Sequence, residues 1–271
     1  MVMKNIACFI TGGWTEAGEM QSFLEKIRSD CNFYQCFPHK PKVRRNEMGQ
    51  LYKEEIRGET GEILFNKVLG ILKDHPEYND KYDAILIEDD LDMRFKDKSD
   101  DYIQEHYSKM TREVVEVFGR EIPVIILYAS PEIESWFLTD WDNCFKGVYS
   151  SKTTVPDLSL NERLHFINRL KVAINDKIDT TTSIELFGYD QPEYIKLSDL
   201  LLKLFEPDNI RNTVMKDSSN NTFRQKICNS RYLYYSKKTH GSMMLRKADP
   251  EIIQQKCNKF FRKGYDELGQ L

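Results

Sequence analysis

The 271-residue sequence lacks several features that would place it in a familiar class. Its six cysteines are scattered without a CxxC pair, which argues against a zinc site or a disulfide framework and favours reduced thiols. There is no internal repeat, Walker-type phosphate loop or G-x-S-x-G nucleophile elbow. No apolar run reaches the length of a membrane span, and the N-terminus enters a short strand without the apolar region of a signal peptide. We therefore expect a cytoplasmic protein.

Strong net charge is also absent, since the formal charge is -4. The whole chain is therefore not typical of a nucleic-acid binder, although a local basic surface remains compatible with this balance. The length allows one large domain, or one domain with a smaller appendage.

What the sequence does contain is an apolar stretch, 82–92, that ends in carboxylates. Its four consecutive apolar residues predict a strand covered on both faces, which is typical of a parallel sheet. Open α/β sheets bind ligands at the carboxyl ends of their strands. Acids at this density repel one another unless a cation joins them, and Mg²⁺ or Mn²⁺ suits oxygen ligands. We predict a metal site at Asp90 and Asp92; a solvated acidic turn is the alternative.

The chain opens with a second apolar run, Ile6 to Ile10, followed by a glycine turn and a helical pattern. This order predicts a Rossmann-like βα unit. Thr15 can cap the helix, which puts Glu16 in its first turn, facing the same sheet edge as the acids. Alternatively, Glu16 and Glu19 only complement the helix dipole.

Later segments continue the alternation and predict an α/β domain over residues 1–149, with a parallel sheet flanked by helices. The predicted strands are Asn32 to Phe37 and Ile122 to Tyr128, and the predicted helices are Glu59 to Lys73 and Tyr102 to Phe118.

A basic, proline-containing segment follows the second predicted strand. Beside an acidic metal site it could hold a phosphate backbone, although charge runs are usually solvated. The basic residues predicted to contact nucleic acid here are Lys40, Lys42, Arg44 and Arg45.

The next predicted helix spans residues 130–141, with Ser130 as its cap and Pro131 at its first position. Glu134 and Asp140 fall among its apolar positions, where a carboxylate is costly unless it is paired, hydrogen-bonded or metal-bound. A buried structural acid is the alternative for both.

Beyond residue 149 the pattern becomes mainly helical, so we predict a helical subdomain over 150–271. Its final helix is predicted from Pro250 to Leu268, capped by Asp249. Between Arg224 and Lys247, basic residues alternate with tyrosines. That mixture suits a nucleic-acid surface, but it is more often an ordinary helix-packing surface.

The order of three motifs resembles the TOPRIM domain. They are the glycine turn with its acid (Gly12 to Glu16), the D-x-D of Asp90 and Asp92, and the Pro-x-x-Glu-x-Trp-x-Leu-x-Asp segment from Pro131 to Asp140. More narrowly, the chain resembles OLD-like and RloB-like single-domain TOPRIM proteins found beside ATPase genes in bacterial defence loci. Lys237 and Lys238, with the Cys257 to Phe260 helix, resemble the closing segment of those proteins.

The resemblance implies Mg²⁺-dependent (or Mn²⁺-dependent) phosphodiester chemistry on DNA or RNA. Asp90 and Asp92 would hold one or two ions, and Glu16 would complete the shell or act as general base. Glu134 would be a supporting acid, and Lys237 or Lys238 would neutralise phosphate charge. The family usually has a glutamate where this chain has Thr11, so Glu16 acts alone, Glu19 or Glu88 substitutes, or the site is degenerate.

Three hypotheses remain open at this point. The first is a metal-dependent nuclease, the effector of an anti-phage system with an ATPase partner. The second is a degenerate TOPRIM-like module that binds an ATPase or a phage component as sensor or scaffold. The third is a receiver-like phosphoacceptor, based on the Asp89-Asp90 pair. The sequence leaves a homo-oligomer open.

Overall fold

A computed structural model gives the fold of this protein. It describes residues 3–13, 16, 18–38, 43–45, 51–53, 58–178, 183–193, 195–216 and 220–271, with 43–45 and 51–53 described by their backbone.

The described residues contain a four-stranded, all-parallel sheet in the order β2-β1-β5-β6 and a separate antiparallel hairpin, β3-β4. The predicted α/β class with a Rossmann-like parallel sheet is therefore confirmed. The strands are β1 Lys4–Phe9, β2 Cys31–Phe37, β3 Val43–Arg45, β4 Leu51–Lys53, β5 Ala84–Asp90 and β6 Val124–Ala129.

Helices follow or separate these strands and make up the whole regular structure of the described C-terminal half. The α-helices of the first half are α1 Met20–Ile27, α2 Gly61–Asp74, α3 Tyr78–Lys81, α4 Asp100–Phe118, α5 Glu134–Thr139 and α6 Gly147–Tyr149. Those of the second half are α7 Leu160–Asn175, α8 Leu197–Leu204, α9 Pro207–Asn209, α10 Asn221–Asn229, α11 Ser242–Lys247, α12 Pro250–Lys256 and α13 Phe261–Gly269. Short π-helical turns cover Asp142–Lys146, Ile210–Val214 and Lys237–Gly241, and a 3-10 turn covers Ile184–Leu186.

Local signals explain where the long helices begin and end. The Ser99 side chain accepts the Tyr102 backbone N–H at the start of α4, and Gly119 ends that helix with φ 81°. At the start of α7, Ser159 and Glu162 form a reciprocal capping box.

The sheet is buried on both faces, which explains why its strands are continuous apolar runs. Alternate residues of β1 and β5 contact α1 and the helices of the C-terminal half, with Phe23, Trp136 and Phe261 at the centre of this layer. The intervening residues contact α2 and α4, where Val68 and Val114 are fully buried.

The order of the strands creates a crevice at one edge of the sheet. The chain leaves β1 toward β2 and later returns to β5 on the other side of β1. Connections therefore diverge from the carboxyl ends of β1 and β5, which is the topological switch point where α/β sheets bind ligands. Thr11 follows β1 at this point, and Glu88 and Asp90 end β5.

Residues on both sides of the predicted boundary at 149/150 share one hydrophobic core. Ile6 and Leu86 of the sheet belong to the same buried group as Phe166, Leu201 and Met244. The regular secondary structure described beyond residue 150 is helical, as predicted, while a separate subdomain over 150–271 stays a prediction.

The C-terminal helix prediction was correct in position but wrong in continuity. The helix ends at Lys256, and a new one begins at Phe261. The break arises because the buried Glu185 carboxylate accepts the backbone N–H groups of Lys259, Phe260 and Phe261. In a continuous helix these groups would donate to backbone carbonyls of the preceding turn. Helix α13 then packs on β6, and Gly264 allows this because an added Cβ would lie 2.5 Å from the Ile126 carbonyl oxygen.

The predicted helix start at Ser130 and Pro131 was wrong, because α5 begins only at Glu134. Ser130 donates its hydroxyl to the Glu185 carbonyl oxygen instead of capping a helix. The Pro131 carbonyl accepts the Asp92 N–H, at an N···O distance of 2.7 Å. The second bond joins the ends of β5 and β6, and the first joins the end of β6 to the 3-10 turn at Glu185, so neither group takes part in a helix.

Among the described residues, no helix combines the length and apolar character needed to cross a membrane. All six cysteines are free thiols, as the sequence predicts.

Candidate metal centre

The acids that end β5 are divided between the two faces of the sheet, because side chains alternate along a strand. The Asp89 side chain lies on the face of the sheet that α2 and α4 cover. Its carboxylate accepts the Arg94 guanidinium at 2.6 Å and the Gly61 N–H at 2.9 Å. Glu88 and Asp90 continue the opposite face, at the crevice.

Glu16 reaches these two acids from the turn before α1. The helix starts at Met20, so the prediction that Glu16 lies in its first turn was wrong; Thr15, the predicted cap, lies outside the described residues. The Glu16 carbonyl instead accepts the N–H groups of Glu19 and Met20. Its carboxylate folds back over Gly13, where a Cβ would collide with it. A side chain at position 13 would therefore displace this acid.

One carboxylate oxygen from each of Glu16, Glu88 and Asp90 lies within 4.8 Å of the others. We call these three residues the acidic cluster. Glu16 is 3% exposed, Glu88 is fully buried and Asp90 is half-buried, so water reaches the cluster mainly at Asp90. Of the sequence-predicted metal ligands, the structure brings together Glu16 and Asp90 and adds Glu88.

Backbone and hydroxyl groups hold part of this cluster in place. The Thr11 N–H and hydroxyl both donate to Glu88 Oε2, at 3.1 and 3.2 Å. The Ile133 N–H donates to Asp90 Oδ1 at 3.0 Å. Glu16 Oε2 and Glu88 Oε1 are buried and have no hydrogen-bond partner among the described residues. Buried orphan oxygens of this kind are costly and indicate a missing partner.

The electrostatics of the acidic cluster also favour a cation. Burial, and then repulsion from neighbouring carboxylates, raise the pKa of Glu88 and Asp90 well above their ordinary values. Burial raises the pKa of Glu16 to about 7. A divalent cation would reverse these shifts by favouring the charged carboxylates. A set of carboxylate oxygens fits Mg²⁺ or Mn²⁺ and not a soft metal.

A second pair of buried acids, Glu132 and Glu134, lies beside the cluster on the segment after β6. Each is 1% exposed. The Lys237 ammonium lies 3.6 Å from Glu132 Oε2 and 3.6 Å from Glu134 Oε1. The buried Tyr235 hydroxyl donates to Glu134 Oε1 at 3.1 Å, and Glu134 Oε2 has no described partner. Burial raises the pKa of Glu134 to about 7, against the lowering effect of Lys237.

Asp92, predicted as a metal ligand, is placed differently. Its backbone has φ 49°, and its carboxylate pairs with Lys196 at 3.4 Å. Within the part of the chain that the structure describes, Asp92 does not join the acidic cluster. Asp140 is a structural acid: it is buried and accepts the Asp249 N–H at 2.8 Å.

The basic residues predicted to contact nucleic acid or phosphate have mixed outcomes. Lys237 lies at the site, and Lys238 follows it as an exposed residue. Arg44 and Arg45 lie in β3, where their backbones pair with Tyr52 and Leu51. Lys40 and Lys42 fall outside the described residues. Their roles in binding stay predictions.

Sequence reasoning missed two participants, Glu132 and Tyr235, and named Glu88 only as one alternative to the acid absent at Thr11. Strand alternation could have singled Glu88 out, because it places this residue on the same face as Asp90. Glu132 precedes the helix in an irregular segment, and Tyr235 is far along the chain. No sequence pattern predicted their approach to Glu134.

Comparisons of this chain with protein-family models, with curated proteins and with solved structures found no match.

Proposed function

We propose that this protein is a nuclease that hydrolyses phosphodiester bonds with the help of a bound divalent metal ion. The observation that carries the proposal is the convergence of Glu16, Glu88 and Asp90 at the switch point of a parallel sheet, with buried carboxylate oxygens that lack partners. Such a donor set has the chemistry of a magnesium or manganese site.

Each residue of the site has a specific part in this proposal. The acidic cluster would hold Mg²⁺ or Mn²⁺, and a bound ion would supply Lewis-acid stabilisation of charge on the phosphate. Thr11 orients Glu88 through two hydrogen bonds. Lys237 provides a positive charge beside the cluster that could contact a phosphate oxygen, and Tyr235 fixes the Glu134 carboxylate.

Thr11 also bears on whether the site is active. In the family that the chain resembles, this position usually carries a metal-binding glutamate. Here Thr11 donates to Glu88, and the Glu88 carboxylate joins the cluster from the neighbouring strand. We infer that Glu88 substitutes for the absent acid. Glu19 is less suited to this, because it pairs with Arg246.

Two finer parts of the proposal rest on the TOPRIM resemblance: action within an anti-phage system, and an ATPase partner. The second candidate function is a catalytically degenerate module that binds an ATPase or a phage component. The threonine at position 11, where the family that the chain resembles usually has a glutamate, favours this second candidate.

The test begins with Mn²⁺ titration of the purified protein by calorimetry. Wild type should bind the ion, and Asp90→Asn and Glu88→Gln should lose binding, because each removes a charged ligand. Glu113→Gln, a half-buried acid on α4 outside the site, is the matched control. Single- and double-stranded DNA and RNA are then incubated with protein and Mg²⁺ or Mn²⁺.

Cleavage by wild type that Asp90→Asn abolishes would support the nuclease. Metal binding without cleavage of any nucleic acid, with the ATPase partner supplied, would favour the module. Absence of metal binding at millimolar Mn²⁺ would refute the metal centre.

A further inference from the structure

Lys237 occupies an unusual place for a lysine beside a candidate metal centre. Its ammonium lies at equal distances, 3.6 Å, from one oxygen of Glu132 and one of Glu134. Burial lowers the pKa of Lys237, but Glu134, Glu132, Asp90 and Glu16 outweigh it and raise the pKa above its ordinary value. The lysine therefore stays charged and lies within electrostatic reach of the acidic cluster.

The two acids around this ammonium are already held by other groups. Glu132 Oε2 also accepts the Ser198 N–H at 3.3 Å, and Lys196 approaches Glu132 Oε1 at 4.0 Å. Glu134 Oε1 also accepts the Tyr235 hydroxyl. A divalent ion between these two acids would have to displace the ammonium and compete with these donors.

The backbone around Lys237 makes such displacement difficult. Tyr235, two residues earlier, is 4% exposed, and His240, three residues later, is 3% exposed. The His240 ring stacks on Tyr149, with centroids 5.1 Å apart. The His240 N–H donates to the Ser236 carbonyl, and the Ser236 side chain accepts the Thr239 N–H. Lys237 thus projects from a turn that is fixed on both sides.

Two-metal phosphodiesterases place their ions about 3.5–4 Å apart and use the second ion to balance charge on the phosphate. We propose that the ammonium group of Lys237 occupies the position of that second cation, so that this chain binds one divalent ion at the acidic cluster and not two. The inference rests on the proposed metal-dependent function and specifies its stoichiometry.

The test counts Mn²⁺ ions on the full chain by calorimetry and by electron paramagnetic resonance, where two neighbouring Mn²⁺ ions give a spin-coupled spectrum. Wild type should bind one ion with an uncoupled spectrum. Lys237→Met removes the charge and keeps an unbranched side chain, so the stoichiometry should rise to two with spin coupling. Lys237→Arg keeps the charge and should remain at one ion. Lys73→Met, an exposed lysine at the end of α2, is the matched control.

The outcomes separate this inference from the proposed function. Two ions on wild type would overturn the inference and leave the metal-dependent function intact. One ion on folded Lys237→Met would also overturn it, because the lysine would then not exclude a cation. No ion on wild type would refute the metal centre and the inference together. Should Lys237→Met fail to fold, Lys237→Gln, which also removes the charge, takes its place: it should bind two ions, and one ion on it would overturn the inference.

Discussion

Replacing Glu16 by glutamine should make the metal-free protein more stable and should remove its response to metal. The pKa of Glu16 is raised by burial to about 7, against an ordinary value of 4.5. The folded protein therefore binds this proton more tightly than the unfolded chain does. As a result, the free energy of unfolding falls as the pH rises from about 4.5 to about 7. At pH 8 this loss amounts to about 3 kcal/mol, since a tenfold change in proton affinity corresponds to about 1.4 kcal/mol.

Glu16→Gln cannot ionise and avoids this loss. Without divalent metal at pH 8, its free energy of unfolding should exceed that of wild type by up to about 3 kcal/mol. The melting temperature should then rise by several degrees, at about 2–4 °C per kcal/mol for a chain of this size. At pH 5 the two proteins should differ little, because wild-type Glu16 is then largely protonated.

Mn²⁺ should reverse the order of stability. A ligand that binds only the folded state stabilises it by about 2.7 kcal/mol when the free ligand concentration is 100 times the dissociation constant. Wild type should gain this at pH 8 and much less at pH 5, where protons compete for the carboxylates. Glu16→Gln should gain little at either pH. The assay is thermal unfolding at both pH values with and without Mn²⁺, and Glu113→Gln should follow wild type throughout.

The reasoning would be refuted by a Glu16→Gln protein that is less stable than metal-free wild type at pH 8 yet keeps the full Mn²⁺ response. The same assay tests whether Glu88 in β5 or Asp92, which follows β5, is the acid that binds the ion together with Asp90. Glu88→Gln should lose the response if the cluster binds the ion as it stands. Loss in Asp92→Asn would instead support the D-x-D ligands predicted by the sequence.

Three further substitutions test the fold and its link to the site. Gly264→Ala should lower the free energy of unfolding in urea by about 1–3 kcal/mol, because the added Cβ meets the β6 backbone. Gly70→Ala in α2 has open space around the new Cβ and should be neutral or stabilising. Equal effects of the two substitutions would contradict this packing. Gly13→Ala should weaken Mn²⁺ binding at least tenfold with little change in secondary structure, because the Cβ displaces an acid of the cluster; unchanged affinity in calorimetry would show that the acid is not needed. Arg94→Met should cost about 3 kcal/mol by leaving Asp89 buried without its cation, and a cost under about 1 kcal/mol would show that the pair adds little.

Much of the α/β half followed from local sequence alone. Doubly covered strands require uninterrupted apolar runs, so hydropathy along the chain was enough to locate β1, β5 and β6. Amphipathic spacing located α2 and α4 in the same way. The helix start at Ser130 was wrong because a local cap competes with tertiary bonds, and here Asp90, Asp92 and Glu185 take up the backbone and hydroxyl groups that a helix would use.

The sequence by itself determined the parallel sheet and the edge at which its acids collect, because strand ends and alternation are local properties of a chain. It also singled out Glu16 and Asp90 as members of one candidate site. Only the tertiary structure decided that Glu88 joins them and that Asp92 turns toward Lys196. It alone brought Lys237 to the Glu132 and Glu134 carboxylates. The contacts of Asp92 and Lys237 join segments about 100 residues apart, so they depend on how helices pack over the sheet and leave no periodic signal in the sequence.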